Sequence, residues 1–317
     1  MTKERRFAME ARAADVVERA IARVPRAAVL ALGRGLGRLW SDADVRHVRI
    51  AASNLRLAFP HWDEARVLRT ARGVYAHFGA MLLDLLWLGR RPASEILALV
   101  DVVGREHVDA AASGETGLLM LTGHFGNWEL AGLAHGGVFG SIGVVARPLD
   151  NPALDQRLCA FRAKTGNVVI YKQRALQQVL RFLRERRSVA VLIDQNVNQG
   201  GVFVDFFGRH ASTTTVAAAL AIKTGAPIVA GFAELLANGR YRFGYRPPIR
   251  FQPTGDREAD ILRLTQRVTA LIEERIRERP EQWLWLHRRW KTQPSATATA
   301  ASSAVEADDL DAAASLT

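Results

Sequence analysis

An α/β fold is what this sequence predicts: a central sheet, mostly parallel or mixed, flanked by helices and preceded by an amphipathic helix near the N-terminus. Three observations carry the prediction. From residue 117 onward, short continuous apolar runs alternate with helical segments, the pattern of strands buried on both faces between covering helices. At 317 residues, 49% hydrophobic and 24% charged, the chain is long enough to bury a substantial core and too apolar for disorder over most of its length. The single cysteine, Cys159, excludes an internal disulfide or a multi-cysteine metal site, which suits a reducing compartment. It sits in the helical-looking run "LDQRLCAFRA" and is assigned to packing.

Taken in order, residues 1–23 are mixed in charge and lack both an apolar core and a small-residue cleavage site, so they form an N-terminal segment that is not a secretory signal. Residues 24–40, "VPRAAVLALGRGLGRLW", open the main domain. On a helix, Arg23, Arg26, Arg34 and Arg38 fall within an arc of roughly 120°, opposite Val29, Leu32, Leu36, Leu39 and Trp40. That suits a helix lying in a membrane interface; Arg26, Arg34 and Arg38 make it a poor span. A helix packed on the domain with solvated arginines is the alternative, and Gly33, Gly35 and Gly37 weaken either version. Residues 77–91, "HFGAMLLDLLWLGRR", are too short to cross a bilayer and read as a buried helix or the wall of an apolar groove.

The runs "GLLMLT", "SIGVVARP", "VVIYK", "SVAVLIDQ", "PIVAGFAEL" and "YRFGYRPPI" read as strands. Between them, "NPALDQRLCAFRAKTG", "RALQQVLRFLRERR" and, after a long loop, "TTTVAAALAIKTG" read as helical. A late helix, about 256–279, precedes "RPEQWLWLHRRWK". The predicted organisation is therefore 1–23, a main domain over 24–292, and a low-complexity, disordered tail over 293–317.

Formal charge is +11 from 43 basic and 32 acidic residues; four of the acids (Glu306, Asp308, Asp309, Asp311) lie in the tail, which has no Lys or Arg after Thr292, leaving 28 acids and a charge of +15 on the body. A polyanion is implied, and composition leaves nucleic acid, an anionic membrane, a phosphorylated lipid and an acidic carrier protein all open.

The chemistry concentrates in "LTGHFGNWELAG", residues 121–132. His124 lies just past a strand, Gly123 and Gly126 permit a tight turn, Asn127 is placed as an N-cap, and Glu129 falls in the first helical turn. An imidazole and a carboxylate can then meet. A carboxylate on Nδ1 would fix the tautomer and leave Nε2 free as a base toward an alcohol. A buried structural histidine is the competing explanation of the same residues.

"GHFGNWE" is similar to the His-x4-Asp/Glu motif of glycerolipid-type acyltransferases, in the glutamate form of bacterial lipid A biosynthesis lauroyl/myristoyl acyltransferases. The resemblance continues in family order through "VARPLDNPALD", "LIDQN", "VFVDFFGRHASTTTVAAALAIKTGAPIV" and "PEQWLWLHRRWK", over roughly residues 25–291. The chain departs from the family in its arginine-interrupted N-terminal segment, in Asp205 before "FFG", and in Ala230 after Val229, where proline is common.

The resemblance implies a membrane-associated enzyme at the cytoplasmic face of the inner membrane. It would move an acyl chain from acyl carrier protein, or from acyl-CoA, to a hydroxyl of a lipid A precursor. A lysophospholipid, glycolipid or amino-acid-linked lipid is the alternative acceptor. His124 would deprotonate the hydroxyl, Glu129 would orient His124, and no acyl-enzyme or cofactor would be needed beyond the acyl co-substrate. Partners implied are the carrier protein, anionic membrane lipids and the lipid acceptor, with no nucleic acid. No metal motif is visible: there is no His-Glu-x-x-His, cysteine pair or acidic calcium-loop triplet.

Arg147, after the strand "SIGVVA", is expected at the same sheet end as His124 as an oxyanion donor or phosphate clamp, with a surface ion pair as the alternative. Asp194 ends an apolar strand where a carboxylate needs a partner, a basic residue of the site or backbone amides of the next loop, and structural support and substrate binding are both open to it. With Gln195 and Asn127 it joins the substrate-binding set. Phe206 and Phe207 are expected to line an acyl channel, and the hydroxyls of residues 212–215 to cap the next helix. Trp283, Trp285 and Trp290 interleave with Arg288, Arg289 and Lys291, which suits a membrane interface or nucleic-acid stacking. A basic, non-enzymatic membrane or nucleic-acid binder is the rival class, although it has no use for the His124–Glu129 turn and lacks a nucleic-acid-binding signature.

Overall fold

The computed structural model describes residues 2–171 and 175–294, so the expected disordered tail lies outside the described residues from position 295 onward. Four helices come first: α1 (Lys3–Ile21), α2 (Arg26–Ala43), α3 (Val45–Ala58) and α4 (Glu64–Gly89). Next are α5 (Ala93–Leu97), β1 (Val100–Val103), α6 (Arg105–Ala112), β2 (Leu119–Thr122), α7 (Trp128–Phe139) and β3 (Gly143–Ala146). They are followed by α8 (Pro152–Arg162), β4 (Val168–Tyr171), α9 (Ala175–Arg184) and β5 (Val189–Leu192). A hairpin, β6 (Gly201–Asp205) and β7 (His210–Thr214), stands apart, before α10 (Val216–Thr224), β8 (Ile228–Leu235), β9 (Tyr241–Tyr245) and α11 (Arg257–Glu278).

The seven-stranded sheet has the order β1-β9-β8-β2-β5-β3-β4. Its centre is parallel, β8 and β9 pair antiparallel, and β1 runs with β9, so the sheet is mixed as predicted. Side chains of a strand alternate between faces, and the two cores divide accordingly. Leu119, Leu121, Val189 and Val191 pack with Leu264, Val268 and Ile272 of α11 on one face; Met120, Ala190 and Val229 pack with Leu130, Leu133 and Ala134 of α7 on the other. Thr122 of β2 pairs with Leu192 of β5. The residues two places beyond each, His124 and Asp194, therefore leave the sheet side by side.

The predicted N-terminal helix forms as α2, and its glycines have a packing role. A Cβ on Gly33 would lie 2.6 Å from the Gly79 carbonyl oxygen and the Ala80 Cα, and one on Gly37 would collide with the Tyr75 carbonyl. They cost helix propensity but let α2 approach α4 closely. Arg26 departs from the expected solvated arc. Its Nε and Nη2 donate to Asp84 at 2.8 and 2.7 Å, and the fully buried Asp84 also accepts from the Tyr241 hydroxyl at 2.7 Å; burying a carboxylate requires such partners. Leu32, Leu36, Leu39 and Trp40 remain 50%, 48%, 68% and 65% exposed. Among the described residues, no helix is long and apolar enough to cross a membrane. Residues 77–89 are the C-terminal half of α4, with His77, Ala80, Met81, Asp84 and Leu88 buried and Leu82 exposed, so the buried-helix reading holds for one face.

Two expectations are corrected. Two of the tryptophans of "WLWLHRRWK" do not face a surface: Trp283 and Trp285 are fully buried, and Trp290 is 8% exposed; Arg289 is fully buried and donates to the Ser212 carbonyl and Thr213 Oγ1. The segment is a strap beneath the sheet end, its Trp283 bridged to Phe125. The expected long loop holding Phe206 and Phe207 is the turn of the β6–β7 hairpin. Both rings are buried, in edge contacts with each other and with Trp283 and Phe59. Asp205 closes this turn by accepting from the Gly208 amide at 3.0 Å.

Candidate active site

After β2 the chain turns sharply at Gly126, whose φ is +57° and where a Cβ would strike the Ala233 carbonyl. Only glycine fits there. Asn127 then caps α7, its side-chain oxygen accepting from the Leu130 amide at 3.0 Å. The strap holds the turn from below: Gly126 N donates to Gln282 O at 2.8 Å and Leu284 N to His124 O at 3.0 Å.

His124 is thereby presented to Asp194. The two meet twice, backbone N to Oδ2 at 2.6 Å and Nδ1 to Oδ1 at 2.8 Å, and the Trp283 indole N–H donates to Oδ2 at 2.7 Å. Burial disfavours ionised Asp194, but His124 and these N–H groups overcome it and hold the carboxyl far below its ordinary range. Burial likewise opposes protonation of His124. The Asp194 carboxylate, with a smaller contribution from the Glu129 charge, wins and raises the imidazole pKa above its usual 6.5. With a carboxylate on Nδ1 the ring proton belongs there, leaving Nε2, 3.5 Å from Gln195 Nε2, as the free nitrogen.

Glu129 has a different partner from the one expected. Arg162, the last residue of α8, grips it through two bonds of 2.7 Å, with the two side chains 13% and 8% exposed. Glu129 makes no hydrogen bond to His124 among the described residues. The orienting carboxylate on Nδ1 is Asp194, because strand register brings it alongside, whereas the first turn of α7 aims Glu129 toward α8.

A cavity of about 320 Å³ joins these groups. His124, Glu129, Arg147, Arg162 and Gln195 line it with Thr122 and Asn167, against apolar walls from Met120, Val144, Val145, Ala190, Leu192 and Trp128. Arg147 reaches the cavity as expected, yet it is 83% exposed and paired with Asp150 at 3.0 Å, so the surface-pair alternative also describes it. Asn127 is fully buried, outside the lining, and bonded to the Tyr241 hydroxyl at 3.2 Å; its cap role accounts for it and a substrate contact does not. Phe206 and Phe207 do not line the cavity.

Three contributors escaped the sequence reading. Arg162 carried no motif, only a place late in a helical run. Trp283 read as a surface aromatic. Thr122, 2% exposed, has a hydroxyl without a partner among the described residues and lines the cavity; the last residue of a buried strand just before the motif was the available signal.

The fold and site define an α/β acyltransferase. The family model for bacterial lipid A biosynthesis acyltransferases matches residues 11–292, and the chain belongs to that family. It is 28% identical over 277 residues to the lipid A biosynthesis lauroyltransferase of Escherichia coli, covering 86% of this chain and 89% of that one. It is 26% identical to the palmitoleoyltransferase of the same organism, covering 83% and 85%. A phosphatidylinositol mannoside acyltransferase of Mycobacterium tuberculosis is 26% identical over 59% of this chain and 58% of that one. Among solved structures, the 1-acyl-sn-glycerophosphate acyltransferase PlsC of Thermotoga maritima aligns with a TM-score of 0.37 and 14% identity, covering 78% and 97%.

Proposed function

We propose that this chain transfers a fatty acyl group from a carrier-protein thioester to a hydroxyl of a lipid A precursor, at the cytoplasmic face of a bacterial inner membrane. The observation that carries the reaction is His124, tied at Nδ1 to the buried carboxylate of Asp194 and open at Nε2 to the cavity. Nε2 takes the proton of the acceptor hydroxyl, and the oxygen attacks the thioester carbonyl carbon. The resulting oxyanion collapses, the C–S bond breaks, and the leaving thiolate takes the proton back from the imidazolium, so that an ester and a thiol are formed. Asp194 stabilises the imidazolium between the two proton transfers.

Gln195 and Arg147 are the proposed oxyanion and phosphate donors, and Thr122 offers a hydroxyl to the substrate. The Glu129–Arg162 pair fixes the cavity wall and adds negative charge near the imidazole. Met120, Val144, Val145 and Leu192 take over the acyl-lining role once expected of Phe206 and Phe207. The reaction uses no cofactor or metal. The exposed apolar face of α2 and the positive body favour an anionic membrane surface. A different lipid acceptor is the second reading, supported by the mannoside relatives, which match a smaller share of the chain.

Mass spectrometry of lipids decides between them, in a bacterial host lacking its own late lipid A acyltransferases and expressing either this chain or His124→Ala. A new acyl mass on lipid A with the first alone supports the proposal. A new mass on another lipid moves the acceptor, and transfer by a folded His124→Ala refutes the mechanism.

A further inference from the structure

A second cleft, of about 650 Å³, opens between α3 and the C-terminal strap, lined by Val45, Arg46, Arg49, Ile50, Leu57, Arg288, Trp290 and Lys291 among others. Four of these are cations, and none has a carboxylate within salt-bridge distance among the described residues. Asp44, next to Val45 in the chain, is engaged elsewhere, receiving His47 and the Tyr75 hydroxyl. Four like charges lining one depression repel one another unless an anion sits among them. Trp290, only 8% exposed, lines the same cleft, and its indole N–H lacks an acceptor among the described residues. The floor is apolar, from Ile50 and Leu57.

What lies beside the cleft along the chain indicates the occupant. Leu32, Leu36, Leu39 and Trp40 form the exposed apolar stripe of α2, and Val45, five residues on at the start of α3 and 50% exposed, lines the cleft. An exposed apolar stripe close in the chain to a basic cleft matches the layering of acyl chains beneath anionic headgroups. The opposite side of the strap reaches the reaction centre. Asn54 Nδ2 holds the carbonyls of Trp285 and His287 at 2.8 and 2.7 Å, while the same strap bonds the His124 backbone through Leu284.

We propose that this cleft binds the phosphate-bearing headgroup of anionic membrane lipid, seating the catalytic cavity at the bilayer surface. The inference rests on the membrane reading of the proposed function. The test is flotation with vesicles of phosphatidylcholine alone or mixed with phosphatidylglycerol, comparing the full chain with a variant carrying Arg46→Gln, Arg49→Gln, Arg288→Gln and Lys291→Gln. A charge-matched control replaces Arg69, Arg209, Arg257 and Arg267, exposed elsewhere, with Gln. The cleft variant is expected to lose about tenfold or more in partitioning to the anionic vesicles only, with the control near wild type.

Equal losses in both variants would reduce the effect to net charge, and retained binding by the cleft variant would remove the site; either overturns the proposal. Acyl transfer to detergent-dispersed acceptor separates this from the reaction itself: the cleft variant keeps kcat there, whereas a wild type inactive there refutes the proposed function and leaves the vesicle result standing. If the cleft variant binds vesicles normally but shows a raised KM for carrier-protein thioester alone, the cleft takes an acidic protein and the lipid proposal falls.

Discussion

Replacing Asp194 by asparagine preserves the shape of the side chain and changes where the His124 proton resides. In the native site Oδ2 accepts two N–H groups, the His124 amide at 2.6 Å and the Trp283 indole at 2.7 Å, while Oδ1 faces Nδ1 at 2.8 Å. An amide has one acceptor oxygen. Set at the Oδ2 place it keeps both N–H bonds and turns its NH₂ toward Nδ1, which must then accept and carry no proton. The reverse orientation opposes NH₂ to two buried donors at about 1–3 kcal/mol each, so the first is preferred by roughly 2–6 kcal/mol. The imidazole is thereby locked with its proton on Nε2, the tautomer that cannot act as base. The expected loss is on the order of 10³–10⁴ in kcat, the size found when a comparable histidine is held in the wrong tautomer. Folding should suffer little, because two of the three contacts survive unchanged and the third is reversed rather than lost. Steady-state acyl transfer, a thermal melt and ¹⁵N shifts of the imidazole check each step. A kcat within tenfold of wild type refutes the reasoning, as does a Glu129→Gln variant that carries the altered tautomer while Asp194→Asn does not.

The pH profile follows from the same geometry. His124 must be neutral to act, and because Asp194 and Glu129 raise its pKa against the opposing effect of burial, kcat/KM should climb with pH through a value above 6.5; a limb at or below 6.5 contradicts this. Gly37→Ala pushes a methyl into the Tyr75 carbonyl on α4 and should destabilise by about 1–3 kcal/mol or more in a denaturant melt, with no effect meaning that the helix contact is loose. Phe207→Ala, in the buried aromatic cluster, should cost about 3–5 kcal/mol yet leave acyl-chain selectivity unchanged. A shift in selectivity would restore Phe207 to the acyl channel.

The fold was readable because strands buried on both faces appear as continuous apolar runs, and the Gly126–Asn127 turn because its residues have local jobs. Contacts that depend on which strands become neighbours were not. Nothing within residues 121–132 says that β5 pairs with β2, so Asp194, seventy positions from His124, could be read only as a carboxylate in need of a partner. Burial of the tryptophan strap was equally hidden. Trp283, Trp285 and Arg289 have the composition of a membrane-surface segment, and only closure of that segment beneath the sheet end turns them inward. At α2, local propensity misled in the other direction, since glycines that weaken an isolated helix are required where two helices touch.

The separation of the two carboxylates has a chemical logic that the five-residue spacing of His124 and Glu129 conceals. Glu129 lines the cavity and Asp194 lies behind His124; each is buried, so each must find a positive or donating partner. Asp194 takes the imidazole and the indole, and it remains ionised because the groups facing it favour the charged form. Glu129 takes the Arg162 guanidinium, whose permanent charge gives it a partner whether or not His124 is protonated. When the imidazole gains a proton, the charge that appears on it is met by a carboxylate already in contact, and the Glu129–Arg162 pair need not rearrange. Preorganisation of this kind needs no movement during the proton transfer. It explains why a motif glutamate can stand close to the base, add to its basicity through space, and still leave the hydrogen bond on Nδ1 to a residue from a neighbouring strand.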